Sequence, residues 1–454
     1  MNTRSNCSLQ ARSSKFGRVA ATLAGRFNLT VRGGLSSCVV ATEAAHILLR
    51  GVVASPQLRP MPERQDRRLP PLWLSASALI AAIAVVFGIQ RWIDHFVSDP
   101  TAQDLHLHVV AARVGLTYGW SHIYDIDLQR QVAAGLAPSG RLIDSMHLFI
   151  STPFTAWMVA PLAWQPPAVS YLAWTLVSLA SFLVAAWLVV PGQRLAKVTV
   201  LLVSLALWPV HYQFWAGQTV VATVALMAVA YWLLERERWV GCGLAMAAAF
   251  WFKPQLALLV PVALLITGRW RPVAVFAAVS SAMVVLWALT LGTSGIASWI
   301  HDLSIIESDP HNSPLTYSYL VGRNPTATII EAALALAALG LAWYRRPSLN
   351  LVFSLGIVGT TMSASYLHEF DVAILVLGAW IILRVRPSVT QRVWLLAGIV
   401  AAQFIALGQP IPMLFWEPVW MLLLGLEPWL RRHESTTRSR HSLPQPVALQ
   451  STRP

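Results

Sequence analysis

The feature that most constrains this chain is a repeated apolar length. Runs of about 17 to 22 residues recur along most of it, and that is what a helix needs to cross about 30 Å of hydrocarbon. About 12 candidate spans can be marked: residues 73–91, 168–190, 198–215, 218–234, 239–252, 256–267, 272–291, 326–344, 349–366, 371–383, 393–408 and 412–429. Backbone polar groups in lipid must be satisfied within the segment, and unbroken rather than alternating apolar runs mean helices instead of a barrel. The expected fold class is therefore all-α, a polytopic transmembrane helical protein. Composition agrees, because a 454-residue chain that is 56% hydrophobic and 12% charged has too few charges to coat a soluble globule.

A net charge of +13 would suit a nucleic-acid partner, but its distribution argues otherwise. Arg and Lys sit in the N-terminal region, the C-terminal tail and the short connections between apolar runs, which is how topology is encoded. Arg194 with Lys197, Arg236 with Arg238, Arg269 with Arg271, Arg345 with Arg346, Arg384 with Arg386 and Arg431 with Arg432 are separated by two candidate spans each. Every basic loop then falls on the cytoplasmic side, as do both termini. The membrane, with no nucleic acid, is the expected partner.

Residues 1–71 are rich in Arg, Ser and Pro and read as a disordered cytoplasmic tail; a start site assigned too far upstream would give the same composition. Residues 431–454 read as a second disordered tail, leaving 72–430 as the membrane domain. The apolar stretch 148–163 is short and interrupted by Pro153 and Pro161. A full crossing there would invert everything downstream, so it reads as a re-entrant or half-span segment. Cys7, Cys38 and Cys242 are scattered, and no Walker loop, dinucleotide fingerprint or HExxH occurs, so neither a metal nor a nucleotide cofactor is expected.

The far side of the membrane receives the long loop 92–147, the turns at Gly217-Gln218, Lys253-Pro254-Gln255 and Tyr366 to Asp371, and the loop 293–325. Asp104 heads a helical stretch through Arg113 and either caps that helix or does chemistry from it. Lys253 interrupts an otherwise apolar run, where a cation costs about 2.5–3.5 kcal/mol on insertion scales. It either snorkels at a helix end or meets an anion. Gln218 stands at a helix start, just after His211, Tyr212 and Trp215, and such a start can hold an anion or hydroxyls. His368, Glu369 and Asp371 interrupt another apolar region, whereas His301, Asp302, Glu307, Asp309 and His311 read as a solvated loop.

Taken together, Asp104 leading to Ala111-Ala112, a Tyr124-Asp125 turn, Pro153-Phe154 running to Ala160-Pro161-Leu162, then Gly217-Gln218 and Phe252-Lys253-Pro254-Gln255 resemble the GT-C glycosyltransferases. The spacing of the last two turns resembles glycosyltransferase family 87, the polyprenyl-phosphate-mannose-dependent α-mannosyltransferases. The likeness covers roughly residues 73–385. It departs just after the aspartate, where the family carries aromatic residues and this chain has Leu105 and His108. Asp94 and Asp99 remain competitors for Asp104.

The resemblance implies transfer of a sugar, mannose in the family, from a polyprenyl-phosphate donor to a lipid or glycan acceptor at the outer face of the plasma membrane. It implies Asp104 as the base and Lys253, Gln218, Gln255, His368 and Asp371 as the residues that hold the donor phosphate and substrate. No further cofactor is implied. A secondary transporter of a small polar or anionic solute is the alternative, since broken helices with buried charges are its signature.

Overall fold

The computed structural model describes residues 72–136, 149–308 and 314–441. The chain divides into two units, Met1–Leu69 and Pro70–Pro454, and the described residues all belong to the second. The expected tail at 1–71 lies outside them, as do 137–148 of the long loop, Asp309, His311 and residues 442–454.

The described residues are helical throughout, without strands. In chain order the helices are α1 (Leu72–Ser98), α2 (Gln103–Tyr118), α3 (Ile126–Leu136), α4 (Pro153–Val159), α5 (Pro167–Val189), α6 (Arg194–Ala206), α7 (Trp208–Ala216), α8 (Val220–Leu234) and α9 (Trp239–Phe252). They continue with α10 (Pro254–Ala257), α11 (Leu259–Ile266), α12 (Trp270–Ser308), α13 (Ser318–Val321), α14 (Pro325–Tyr344), α15 (Leu349–Met362), α16 (Leu375–Arg384), α17 (Val389–Ile405) and α18 (Ile411–His441). The last helix extends beyond residue 430 into the segment read from sequence as a tail.

Among the described residues, four helices are long and apolar enough to cross a membrane on length and composition, α1, α5, α12 and α14. The bent pair α6 and α7, angled by 61°, makes a fifth. This is fewer than the dozen full spans expected, and the reasons are local. Pro209 opens α7, where it has no N–H to give and its ring displaces the carbonyl one turn back, so the expected span 198–215 is broken at Leu207. Pro254 likewise divides the run that begins at Trp239. α8, α9, α11 and α15 are also shorter than 18 residues, the length taken as a full span. The span expected at 272–291 instead continues as helix to Ser308, bent at Gly292, whose φ of 62° and ψ of −174° are not helical. The segment 148–163 contributes only the seven-residue α4 and a single 3-10 turn, too short to cross.

α8 and α9 form an antiparallel hairpin closed by a tight turn at residues 235–238. Arg384, at the end of α16, bonds Glu235 of that turn at 2.9 Å and donates to the Val189 carbonyl. The basic loops at 190–197, 235–238 and 384–386 therefore share one end of the bundle. Arg269 donates to the Arg346 carbonyl, which unites two further basic loops. With 15 residues in α8, the opposite end of the hairpin lies about 22 Å away. Gln218, Lys253 and Asp371 all stand at that opposite end of their helices.

Packing between helices relies on small residues that admit close backbone approach. Gly217 ends α7 in the left-handed region, φ 71°, and a Cβ there would lie 2.7 Å from the Leu105 Cβ of α2. Only glycine fits both the conformation and the contact. Replacing it, Gly217→Ala, should cost about 1–3 kcal/mol, seen as a lower thermal midpoint in detergent, and should push the following Gln218 away from α2.

Candidate active site

Lys253 follows the last residue of α9, where Pro254 forbids continuation of the helix. Its ammonium is buried and bonds Asp371 Oδ1 at 2.7 Å, across 118 residues of sequence. The other carboxylate oxygen of Asp371 accepts the His368 N–H at 2.9 Å. Phe370 lies under the lysine, with Nζ 4.6 Å from the ring centroid. Lys253 is therefore no snorkelling side chain: its cation is turned inward onto a carboxylate and an aromatic face. Of its three N–H donors, one serves Asp371, the single hydrogen-bond partner of the ammonium among the described residues.

The turn carrying these groups is braced from both sides. His368 Nε2 and the Tyr366 hydroxyl are 2.7 Å apart, and Glu369 accepts from Trp208 Nε1 at 2.6 Å. Phe370 stacks on Tyr212 at 5.8 Å, and Tyr212 in turn stacks on Trp208 and Trp215. The aromatic residues before Gly217 thus act as a wall that fixes the lysine's partner loop.

Asp104 joins this cluster from α2. The helix begins at Gln103 with Ala102 at its cap position, so Asp104 lies within the first turn and is not the N-cap expected from sequence. Its carboxylate is free of capping duty and lies within electrostatic reach of the Gln218 side chain. Gln218 is buried, and its own amide oxygen accepts from Thr219 N–H at 3.2 Å. Part of the Asp104 surface stays open, yet the surrounding protein withdraws the group from water. Burial raises its pKa from the ordinary aspartate value, while the Gln218 side chain and then the charges of His368 and Lys253 pull it back.

The competing aspartates are elsewhere. α1 runs on to Ser98, seven residues past its expected end, which leaves Asp94 exposed on that helix and bonded by Gln90 at 2.9 Å. Asp99 closes the turn before α2 by accepting the Thr101 N–H at 3.1 Å. Gln255 is half-buried in the first turn of α10 and makes no side-chain hydrogen bond among the described residues. Asp302 departs from the solvated loop expected for it: α12 carries it inward, 1% exposed, with Oδ2 unpartnered among the described residues.

Sequence reasoning missed Phe370 and Tyr366 as members of the site. Their signal was their position in the polar turn, each next to or two residues from a charged group at membrane depth. An apolar groove of 480 Å³ begins where Val372 and Ala373 follow Asp371, and runs along α6 past Leu207 and Val203 towards Leu395 of α17. Val372 and Ala373 line it directly after Asp371 in the chain, whereas Asp104, Lys253, His368 and Asp371 are not among its lining residues.

The family model for glycosyltransferase family 87 matches residues 149–410, more than half of the chain. The chain belongs to glycosyltransferase family 87. This family 87 protein is accordingly a membrane glycosyltransferase, which displaces the transporter alternative. The match takes in Gln218, Lys253, Gln255, His368 and Asp371 and leaves α2 with Asp104 outside it. No curated protein and no solved structure matches the chain.

The buried ion pair has a thermodynamic signature. Lys253→Met strands the Asp371 carboxylate and should destabilise the protein by about 3–5 kcal/mol. The double variant Lys253→Met with Asp371→Leu removes both charges and should recover most of that loss in a thermal-melt assay, while activity stays absent in both.

Proposed function

We propose that this protein transfers a sugar, mannose by its family resemblance, from a polyprenyl-phosphate-linked donor to a hydroxyl of a lipid or glycan acceptor. The observation that carries the proposal is the convergence of Asp104, Lys253, His368 and Asp371 from separate segments of the chain onto one electrostatic cluster. An apolar groove lined by Val372 and Ala373, the residues that follow Asp371 in the chain, offers room for a lipid tail. Sugar transfer needs a base at the acceptor hydroxyl and a cation at the departing phosphate, and this cluster offers both.

In this reading Asp104 takes the proton of the acceptor hydroxyl while that oxygen attacks the anomeric carbon. The bond from that carbon to the phosphate oxygen breaks, and its electron pair leaves with polyprenyl phosphate, whose charge Lys253 offsets. Asp371 is a positioning residue that keeps the ammonium in place. Two carboxylates face one lysine, and His368 stands beside them in the same cluster. Gln218 lies where it favours the charged form of Asp104 against the burial that raises its pKa, and Gln255 is available to the substrate. The prenyl tail occupies the groove beside Val372 and Ala373, which explains why an enzyme for a hydrophilic sugar is mostly apolar.

The site lies at the end of the helices opposite the basic loops, and the positive-inside rule supports an outer-face site with both termini cytoplasmic, in the plasma membrane by family resemblance.

Asp104→Asn should abolish transfer while leaving the thermal midpoint and donor binding close to wild type; undiminished transfer would move the base to another carboxylate. Acidity gives a second check. Activity requires ionised Asp104, whose pKa is raised, so the rate should fall on acidification at a pH above the ordinary aspartate value of about 4. Gln218→Leu removes the side-chain amide that lowers this pKa and should move the acid limb of the pH–rate profile to higher pH.

A further inference from the structure

His108 is one helical turn beyond Asp104 on α2, on the same face and about 6 Å further along the axis. It is 4% exposed, and neither ring nitrogen has a hydrogen-bond partner among the described residues. The ring meets Phe149 edge-on, with centroids 5.6 Å apart, and Phe149 stacks on Tyr124. Phe149 therefore fixes the imidazole's orientation and leaves its donor and acceptor unused. A buried polar group without a partner is costly, and native structures tolerate few of them without a functional reason.

The ring also feels the charge of Lys253, as Asp104 does. Burial first and that cation second lower the His108 pKa to about 3, so the imidazole is neutral. A neutral imidazole has one N–H donor and one acceptor, which matches a sugar hydroxyl and gives no countercharge to a phosphate. His106, two residues away, points some 200° around the helix from His108. It lines a small gap with Thr101 and Ser170 and feels Asp99 instead of Lys253.

We propose that His108 hydrogen-bonds a hydroxyl of a sugar ring held beside Asp104 and Lys253, and so determines which sugar the enzyme accepts. The proposal rests on the transferase reading. It makes His108 a specificity residue in a position where only the bound sugar completes its hydrogen bonding.

The test uses the full chain in nanodiscs with polyprenyl-phosphate-mannose and its singly deoxygenated analogues as donors, comparing wild type with His108→Phe, His108→Gln and His106→Phe. His108→Phe should raise the thermal midpoint without substrate, because an unsatisfied polar group is gone. It should also lower kcat/KM about 10- to 100-fold. His108→Gln should recover much of that loss, and His106→Phe should leave kcat/KM unchanged. One deoxy donor should lose as much with wild type and nothing further with His108→Phe, which assigns the hydroxyl to the donor. A loss confined to the acceptor KM assigns it to the acceptor sugar. Should His108→Phe fail to fold, His108→Gln with the deoxy series carries the same comparison. Wild-type kcat/KM in folded His108→Phe for donor and acceptor alike overturns the proposal. Absence of transfer by wild type itself overturns the transferase reading instead.

Discussion

The site depends on one buried ion pair. Lys253 and Asp371 stand at helix ends that are far apart in sequence, and neither charge is tolerable alone at that depth. Their pairing joins the α9–α10 break to the 3-10 turn before α16, and so sets the distance between the two halves of the site. Around it, Phe370 lies under the ammonium and the His368 amide occupies the second carboxylate oxygen. In the proposed reading, the remaining hydrogen-bonding capacity of the lysine serves the donor phosphate.

The short helices bring their polar ends to the same place. α8 and α9 stop after 15 and 14 residues, and the polar groups at their ends are enclosed by α2, the 3-10 turn and the aromatic wall of α7. Gly217 lets α7 turn within contact distance of Leu105, which brings Gln218 to Asp104. Non-helical backbone at membrane depth is acceptable here because protein, not lipid, surrounds it.

Much of this was legible in the sequence. The apolar runs located most of the longer helices, and the basic pairs assigned loops 190–197, 235–238 and 384–386 to one side, where the structure brings them to one end of the bundle. Proline and glycine determined how those runs were divided, and Pro209 and Gly292 changed full spans into bent ones through backbone geometry that hydropathy does not record. Asp104 was separable from Asp94 and Asp99 only once α1 was seen to continue to Ser98. The pairing of Lys253 with Asp371, the inward turn of Asp302 and the unpartnered imidazole of His108 are long-range outcomes of packing, to which local patterns are blind. The family match, which begins at residue 149, leaves the Asp104 helix to be judged by geometry alone.

The most direct measurement is transfer of radiolabelled mannose from polyprenyl-phosphate-mannose into membrane lipid extract by the purified, folded protein in nanodiscs. The account predicts label in a new lipid or glycan product, with polyprenyl phosphate released in equal amount. Failure to transfer label from this or any other lipid-phosphate-linked sugar would contradict it.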